Sequence, residues 1–119
     1  MESVNYADLT KASAAIKAVS KAGNKLIIAG NGGSAAIASH VAVDFTKAAG
    51  IRAVNFNEAD LLTCFTNDYG YERVFEKVVE FYGDASDLLI LISSSGSSQN
   101  VLNAAKRAIE LEMDVITFS

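Results

Sequence analysis

The sequence predicts a three-layer α/β fold on a parallel sheet, and three observations carry that prediction. Stretches of helical periodicity alternate with short apolar runs along the whole chain. The two clearest runs, Lys25-Leu26-Ile27-Ile28-Ala29 and Leu88-Leu89-Ile90-Leu91-Ile92, are continuous rather than alternating, as in strands covered on both faces. Each run leads through a loop of small residues into a helical stretch, the pattern of right-handed crossovers between parallel strands.

From Tyr6 to Ala22 the apolar positions Leu9, Ala12, Ile16 and Val19 recur every three or four residues, which predicts a helix stopped by Gly23-Asn24. Lys25 to Ala29 is too short for a helix and predicts the first strand, broken by Gly30-Asn31-Gly32-Gly33. Ser34 is a favourable N-cap for a helix over Ala35 to Ala49, closed by Gly50. Arg52 to Asn57 alternates enough for a strand, and Glu58 to Thr66 suits a short helix. Tyr71 to Tyr82 predicts a longer helix with Val74, Phe75, Val78, Val79 and Phe81 on its apolar side, ended by Gly83. Leu88 to Ile92 is the strongest strand. After the serine-rich loop Ser93 to Ser98, the spacing of Leu102, Ala105, Ile109 and Met113 predicts a helix over Gln99 to Met113. Asp114 leads into a last strand, Val115 to Ser119.

A chain of 119 residues makes one domain at most. Half of it is hydrophobic and a fifth charged, which supports a core and excludes disorder. Ten basic against 14 acidic residues exclude the basic surface that phosphate backbones require, so no nucleic-acid partner is expected. Because no apolar run approaches the roughly 18 residues of a membrane span, no membrane partner is expected either. Met1 to Thr10 lacks the pattern of a secretion signal. The single cysteine, Cys64, and the single histidine, His40, form neither a disulfide nor a zinc finger, and a reduced, cytoplasmic setting is expected. Cys64 itself reads as a small buried apolar residue on its short helix. Association is also expected, because apolar helix faces such as Phe75, Val78 and Val79 have little chain to cover them.

The two small-residue loops carry the chemistry. In a parallel sheet, loops leaving the carboxyl ends of strands form the ligand crevice, and both loops sit there ahead of a helix N-terminus. Glycine lets a ligand approach the backbone, free N–H groups and the helix dipole favour an anion, and serine adds neutral donors. Asn31, Gly32, Gly33 and Ser34 in one loop, with Ser93, Ser94, Ser95 and Ser98 in the other, read as a neutral phosphate cradle. A flexible linker is the competing reading of the serine loop. Its place between a strong strand and a strong helix, and its twin earlier in the chain, argue for the cradle. Gly30, Gly32 and Ala35 also satisfy the dinucleotide pattern G-x-G-x-x-G/A, but Gly50 to Arg52 holds no acidic partner at the expected distance, and no nucleotide cofactor is expected. His40 and Asp44, four residues apart, share a helix face near Ser34. They fit a metal-ligand or acid/base pair beside the bound compound, and equally an ordinary exposed polar pair, the commoner outcome of such spacing.

Asn31-Gly32-Gly33-Ser34-Ala35-Ala36 followed by His40, then Asn67-Asp68-Tyr69-Gly70-Tyr71-Glu72, then Ser93 to Ser98 with Asn100-Val101, resemble sugar isomerase (SIS) domains, most closely the phosphoheptose isomerases. The resemblance covers about Lys25 to Ser119. It implies a five-stranded parallel sheet of flavodoxin-like order, a phosphosugar substrate, and a homotetramer with active sites between subunits. The family's phosphate-binding serines correspond to Ser34, Ser93, Ser95 and Ser98, with Asn31, Gly32, Gly33 and Ser94 beside them. Asp68 corresponds to a position lining the sugar site. The helix histidine that ligates zinc in some members corresponds to His40, which makes zinc the one implied cofactor, with His40 and Asp44 as its candidate ligands. The family's catalytic glutamate, which moves a proton between the two carbons of an enediol, corresponds to Asp44, one methylene shorter. The resemblance further implies one SIS domain over residues 1–119, incomplete at its C-terminus, where the family has a strand and a helix bearing its remaining catalytic histidine. The activity it implies is aldose–ketose isomerisation, with Asp44 and His40 as the catalytic pair. SIS domains also serve as non-catalytic modules, sensing a phosphosugar or binding a replication initiator, and that alternative stands beside the enzyme.

Overall fold

A computed structural model describes residues 5–119. Its four strands are β1 (Leu26–Gly30), β2 (Ala53–Val54), β3 (Leu88–Ile92) and β4 (Asp114–Phe118). All pairings are parallel, in the order β2-β1-β3-β4. That is the flavodoxin-like order. Five α-helices connect or precede them: α1 (Tyr6–Lys21), α2 (Gly33–Lys47), α3 (Ala59–Tyr69), α4 (Val74–Tyr82) and α5 (Gln99–Glu110).

The continuous apolar runs occupy the middle of the sheet, where both faces are covered. Leu26, Ile28, Leu88 and Ile90 point to the layer of α1 and α2, meeting Val19, Ala38 and Ala42. Ile27, Ala29, Leu89 and Leu91 point the other way, onto Val74, Phe75, Val78 and Val79 of α4 and Val101, Ala104 and Ala108 of α5. Burying a Leu, Ile or Val side chain stabilises by about 1.5–3 kcal/mol, so these two layers supply most of the hydrophobic driving force. Phe75, Val78 and Val79 are therefore core residues, contrary to the expectation that they lack cover, because α5 packs over them. Phe81, expected on the same apolar side, is instead 55% exposed. Cys64 is exposed rather than buried, since α3 turns Leu61, Leu62 and Phe65 toward the core.

A partly buried ion pair fastens the amino ends of β1 and β3. Asp87, buried, accepts from the backbone N–H of Lys25 at 3.0 Å, of Asp84 at 2.8 Å, and from Asn24 Nδ2 at 3.0 Å. Lys25 Nζ lies 2.6 Å from Asp87 and 2.9 Å from Asp84. Burial by itself pushes the Asp87 carboxyl up, but the hydrogen bonds from Lys25, Asp84 and Asn24 outweigh it and hold the group below the usual carboxylate range. Burial likewise pulls the Lys25 amine down, and the two carboxylates more than offset it, raising the amine above its ordinary value.

Several boundaries differ from those expected, each for a local reason. Helix α2 begins earlier, with Gly32 rather than Ser34 at its N-cap. Gly32 has φ 55° and ψ −119°, a conformation that side chains rarely adopt, so glycine starts the helix and Ser34 falls in its first turn. Strand β2 keeps only Ala53 and Val54 of the expected Arg52–Asn57, because the Asn55 side chain turns back to bond Ser39 Oγ at 3.3 Å and the Asn57 N–H at 3.3 Å. Helix α3 runs past Thr66 to Tyr69, where Gly70, at φ 87°, ends it. A 3-10 turn over Tyr71–Arg73 replaces the first turn expected of the next helix. Helix α5 stops at Glu110 rather than Met113, because Glu112 is left-handed and the Met113 N–H returns to the Ala108 carbonyl at 2.9 Å.

Candidate functional site

Strands β1 and β3 are paired without stagger from Leu26↔Leu88 to Gly30↔Ile92, so their carboxyl ends finish level. The two small-residue loops consequently leave the sheet side by side. This is the first thing the fold contributes to the site, and it follows from register alone.

In the first loop Gly30 is packed against its surroundings. A Cβ there would lie 2.7 Å from the Ile92 carbonyl oxygen and 2.7 Å from Ser34 Cβ, so the turn closes only without a side chain. The N–H groups of Ser34 and Ala35 are consumed within the turn, bonding Asn31 and Gly32 carbonyls at 2.9 and 3.0 Å. Gly32 and Gly33 are exposed, and an added Cβ would meet nothing within 4 Å at either, so a ligand can reach their backbone.

In the second loop Ser93 and Ser95 Oγ lie 3.5 Å apart, and each accepts a backbone N–H: Gly96 to Ser93 at 3.1 Å, Ser97 to Ser95 at 3.2 Å. A hydroxyl that accepts in this way keeps its own proton for donation, so the loop holds fixed oxygens whose O–H groups suit an anionic oxygen. Ser94 is exposed beside them. Ser98 takes the N-cap position of α5, where its side chain makes no capping bond and its carbonyl accepts from Val101 and Leu102 at 3.1 and 3.0 Å.

Two residues that sequence reasoning did not assign to the site hold these loops together. Asn31 and Asn100 exchange amide bonds, Nδ2 to Oδ1 in both directions at 2.9 Å. Tyr71 donates its hydroxyl to the same Asn31 Oδ1 at 2.7 Å. Asn100 is one of the two buried polar residues among the described residues, in phase with Ala104 and Ala108 on the core side of α5. A polar residue on an apolar stripe was the available signal, since a buried amide requires a partner.

The remaining candidates lie on helices α2 and α3 rather than in the loops. His40 and Asp44 do share a face of α2, with Nε2 3.3 Å from Oδ2, but their side chains are 80% and 62% exposed. Asp68 is exposed on α3, in the layer opposite α2, and its partners among the described residues are Cys64 Sγ at 3.7 Å and Asn67 Nδ2 at 3.2 Å. Zinc would find two donors in His40 and Asp44, whereas a stable site generally uses three or four. Among the described residues no group of three or more His, Cys, Asp or Glu is placed to hold a metal, so these residues do not by themselves fit zinc. Among the described residues no helix is long and apolar enough to cross a membrane.

Comparison with known proteins meets this geometry. A family model described as SIS domain matches residues 1–119. The phosphoheptose isomerase of Helicobacter pylori strain ATCC 700392 / 26695 is 44% identical over 101 residues, which cover 80% of this chain and 53% of that protein. The phosphoheptose isomerase of Proteus mirabilis strain HI4320 is 36% identical over 99% of this chain and 64% of its own length. The solved structure of phosphoheptose isomerase GmhA from Neisseria gonorrhoeae superposes with a TM-score of 0.86 at 39% identity, covering 91% of this chain and 59% of that one. The chain thus spans between half and two thirds of the length of these relatives.

Proposed function

This chain belongs to the SIS domain family, and we propose from that premise that its protein is a phosphosugar isomerase of the phosphoheptose isomerase kind. The observation that carries the proposal is the pair of neutral donor loops standing level at the carboxyl ends of β1 and β3. The Ser93 and Ser95 hydroxyls, the Gly32 and Gly33 backbone and the N-termini of α2 and α5 together hold the phosphate of a sedoheptulose 7-phosphate-type substrate. Asp44 is the base. It takes the proton from the hydroxyl-bearing carbon beside the carbonyl, the released electron pair forms the carbon–carbon double bond, and the carbonyl oxygen takes a proton from solvent to give the enediol. The other hydroxyl then returns its proton to solvent as Asp44 delivers its proton to the former carbonyl carbon, exchanging ketose for aldose. His40, 3.3 Å away, orients that carboxylate. The reading extends to a cytoplasmic homotetramer whose sites lie between subunits.

A second reading, a non-catalytic phosphosugar-binding module, is favoured by the open setting of His40 and Asp44, which lie on one helix face at 80% and 62% exposure. A single face of one helix cannot supply both a base and an opposed acid. The 119 residues alone are therefore expected to bind sedoheptulose 7-phosphate without turning it over. Calorimetric titration tests the binding: Ser95→Ala and Ser98→Ala should each weaken it by about 1–2 kcal/mol, the scale of a hydrogen bond to a charged group. Absence of binding, or no change in either variant, removes the cradle. In the whole protein, isomerisation lost on Asp44→Asn supports the enzyme, and binding without isomerisation leaves the module.

A further inference from the structure

The three motifs that stand out in the sequence converge on one atom, Asn31 Oδ1. Asn31 belongs to the first loop, between Gly30, which admits no side chain, and Gly32, the left-handed N-cap of α2. Asn100 is the second residue of α5 and stands two positions after Ser98, so it moves with the exit of the serine loop. Tyr71 opens the 3-10 turn that follows Asn67-Asp68-Tyr69-Gly70. Asn31 Oδ1 accepts from Tyr71 at 2.7 Å and from Asn100 at 2.9 Å, while Asn31 Nδ2 returns a bond to Asn100 at 2.9 Å. A second bond, from Asn103 Nδ2 to the Glu72 carbonyl at 2.9 Å, holds the same 3-10 turn against α5.

We propose that Tyr71 is a positioning residue for anion binding, acting through Asn31 to set the spacing between the two loops of the cradle. The inference rests on the phosphate reading of those loops. Its physical basis is that an anion held by donors from two loops is bound well only at one loop separation, and preorganised donors bind without reorganisation. The backbone pairing of β1 and β3 ends at Gly30 and Ile92, so beyond those residues the separation depends on side chains. The Asn31–Asn100 amide pair supplies one link. The Tyr71 hydroxyl occupies the remaining acceptor position of Asn31 Oδ1 and fixes the amide plane. Tyr71 is about half exposed, so the hydroxyl contributes little to the core, and its removal should be felt in affinity rather than folding.

The test uses the 119-residue chain with inorganic phosphate and sedoheptulose 7-phosphate as separate probes in calorimetric titration. Tyr71→Phe keeps the ring and removes only the hydroxyl. It should weaken both ligands roughly threefold to tenfold, the net value of one hydrogen bond, at an unchanged melting temperature without ligand. The same substitution made in an Asn31→Ala background should add nothing, because the acceptor is gone. If Asn31→Ala does not fold, the single variant still decides. Unchanged affinity in Tyr71→Phe while Ser95→Ala loses affinity overturns the positioning role and leaves the cradle standing. A melting temperature that falls with affinity shows a structural role and overturns it too. No binding of either probe by the unaltered chain overturns the cradle, and the positioning role with it.

Discussion

Gly30 shows how far a single residue determines this site. Replacing it with alanine brings a methyl group within 2.7 Å of both the Ile92 carbonyl oxygen and Ser34 Cβ, and neither neighbour is the free end of a flexible side chain. The strand end or the first turn of α2 has to shift. Overpacking of this kind costs about 1–3 kcal/mol. Gly30→Ala should lower stability by that amount in denaturant titration and also weaken phosphate binding, since the displaced turn carries Gly32 and Gly33. A variant as stable as the parent would show that the turn has slack. His40 and Asp44 lie at the other extreme: an exposed i,i+4 pair contributes little to stability, so their identity is free to serve chemistry. Asn100 lies between these cases, legible as a polar residue on an apolar stripe but not as the partner of Asn31, 69 residues away.

At the scale of elements, the amino ends of β1 and β3 depend on Asp87 and Lys25. Asp87 ionises at lower pH folded than unfolded, so its contribution is fully present above the unfolded value near 3.9 and is lost as pH falls through the folded value. For Lys25 the folded value lies above the ordinary 10.5, so its contribution is present below that and is lost as pH rises through the raised value. Stability should therefore show a plateau between these limits with a fall on each side. Asp87→Ala should cost about 1–3 kcal/mol for each of the two backbone N–H groups, of Lys25 and Asp84, left without an acceptor, while the Lys25 ammonium keeps only the exposed Asp84. It should also flatten the acid limb of the pH profile. An intact acid limb in that variant would assign the limb to other carboxylates. Element boundaries were readable across the apolar run Leu88–Ile92 and at Gly83 after α4, but not at Gly32 before α2 or Gly70 after α3. Nor were they readable at β2, where Asn55 Oδ1 accepts from Ser39 Oγ just past the end of the short strand.

For the molecule as a whole, the exposed apolar surface predicts self-association. Ile16, Ile37, Val41, Phe45, Ile90, Ile92 and Phe118 line a groove of about 350 Å³ beside the outer part of β3 and β4. Tyr6, Ile37, Val43 and Phe118 are exposed, and β4 is an edge strand. Water against such surface is unfavourable, and edge strands and apolar patches are the usual sites of association. Sedimentation at micromolar concentration should show an oligomer, and Val41→Glu or Phe118→Glu should shift it toward monomer. A monomeric parent chain would contradict the expectation. The exposed apolar surface is not the one expected from the sequence: Phe75, Val78 and Val79 are buried under α5, while the groove combines residues from α1, α2, β3 and β4.

By itself the sequence determined the order of elements, the two central strands, and the place of the glycine and serine loops at the strand ends. Periodicity and continuous apolar runs report on which side of its own element a residue lies, and that information is local. The tertiary structure alone decided that α2 is capped by Gly32, that β1 and β3 end level, and that Tyr71, Asn31 and Asn100 meet. These depend on strand register and on partners 40 and 69 residues apart, and no local pattern encodes which distant donor will satisfy a given acceptor. The same limit separates the cradle from the chemistry around it. Loop composition marks the candidate anion site, whereas the exposure of His40 and Asp44 and the layer in which Asp68 lies follow only from how the helices pack on the sheet.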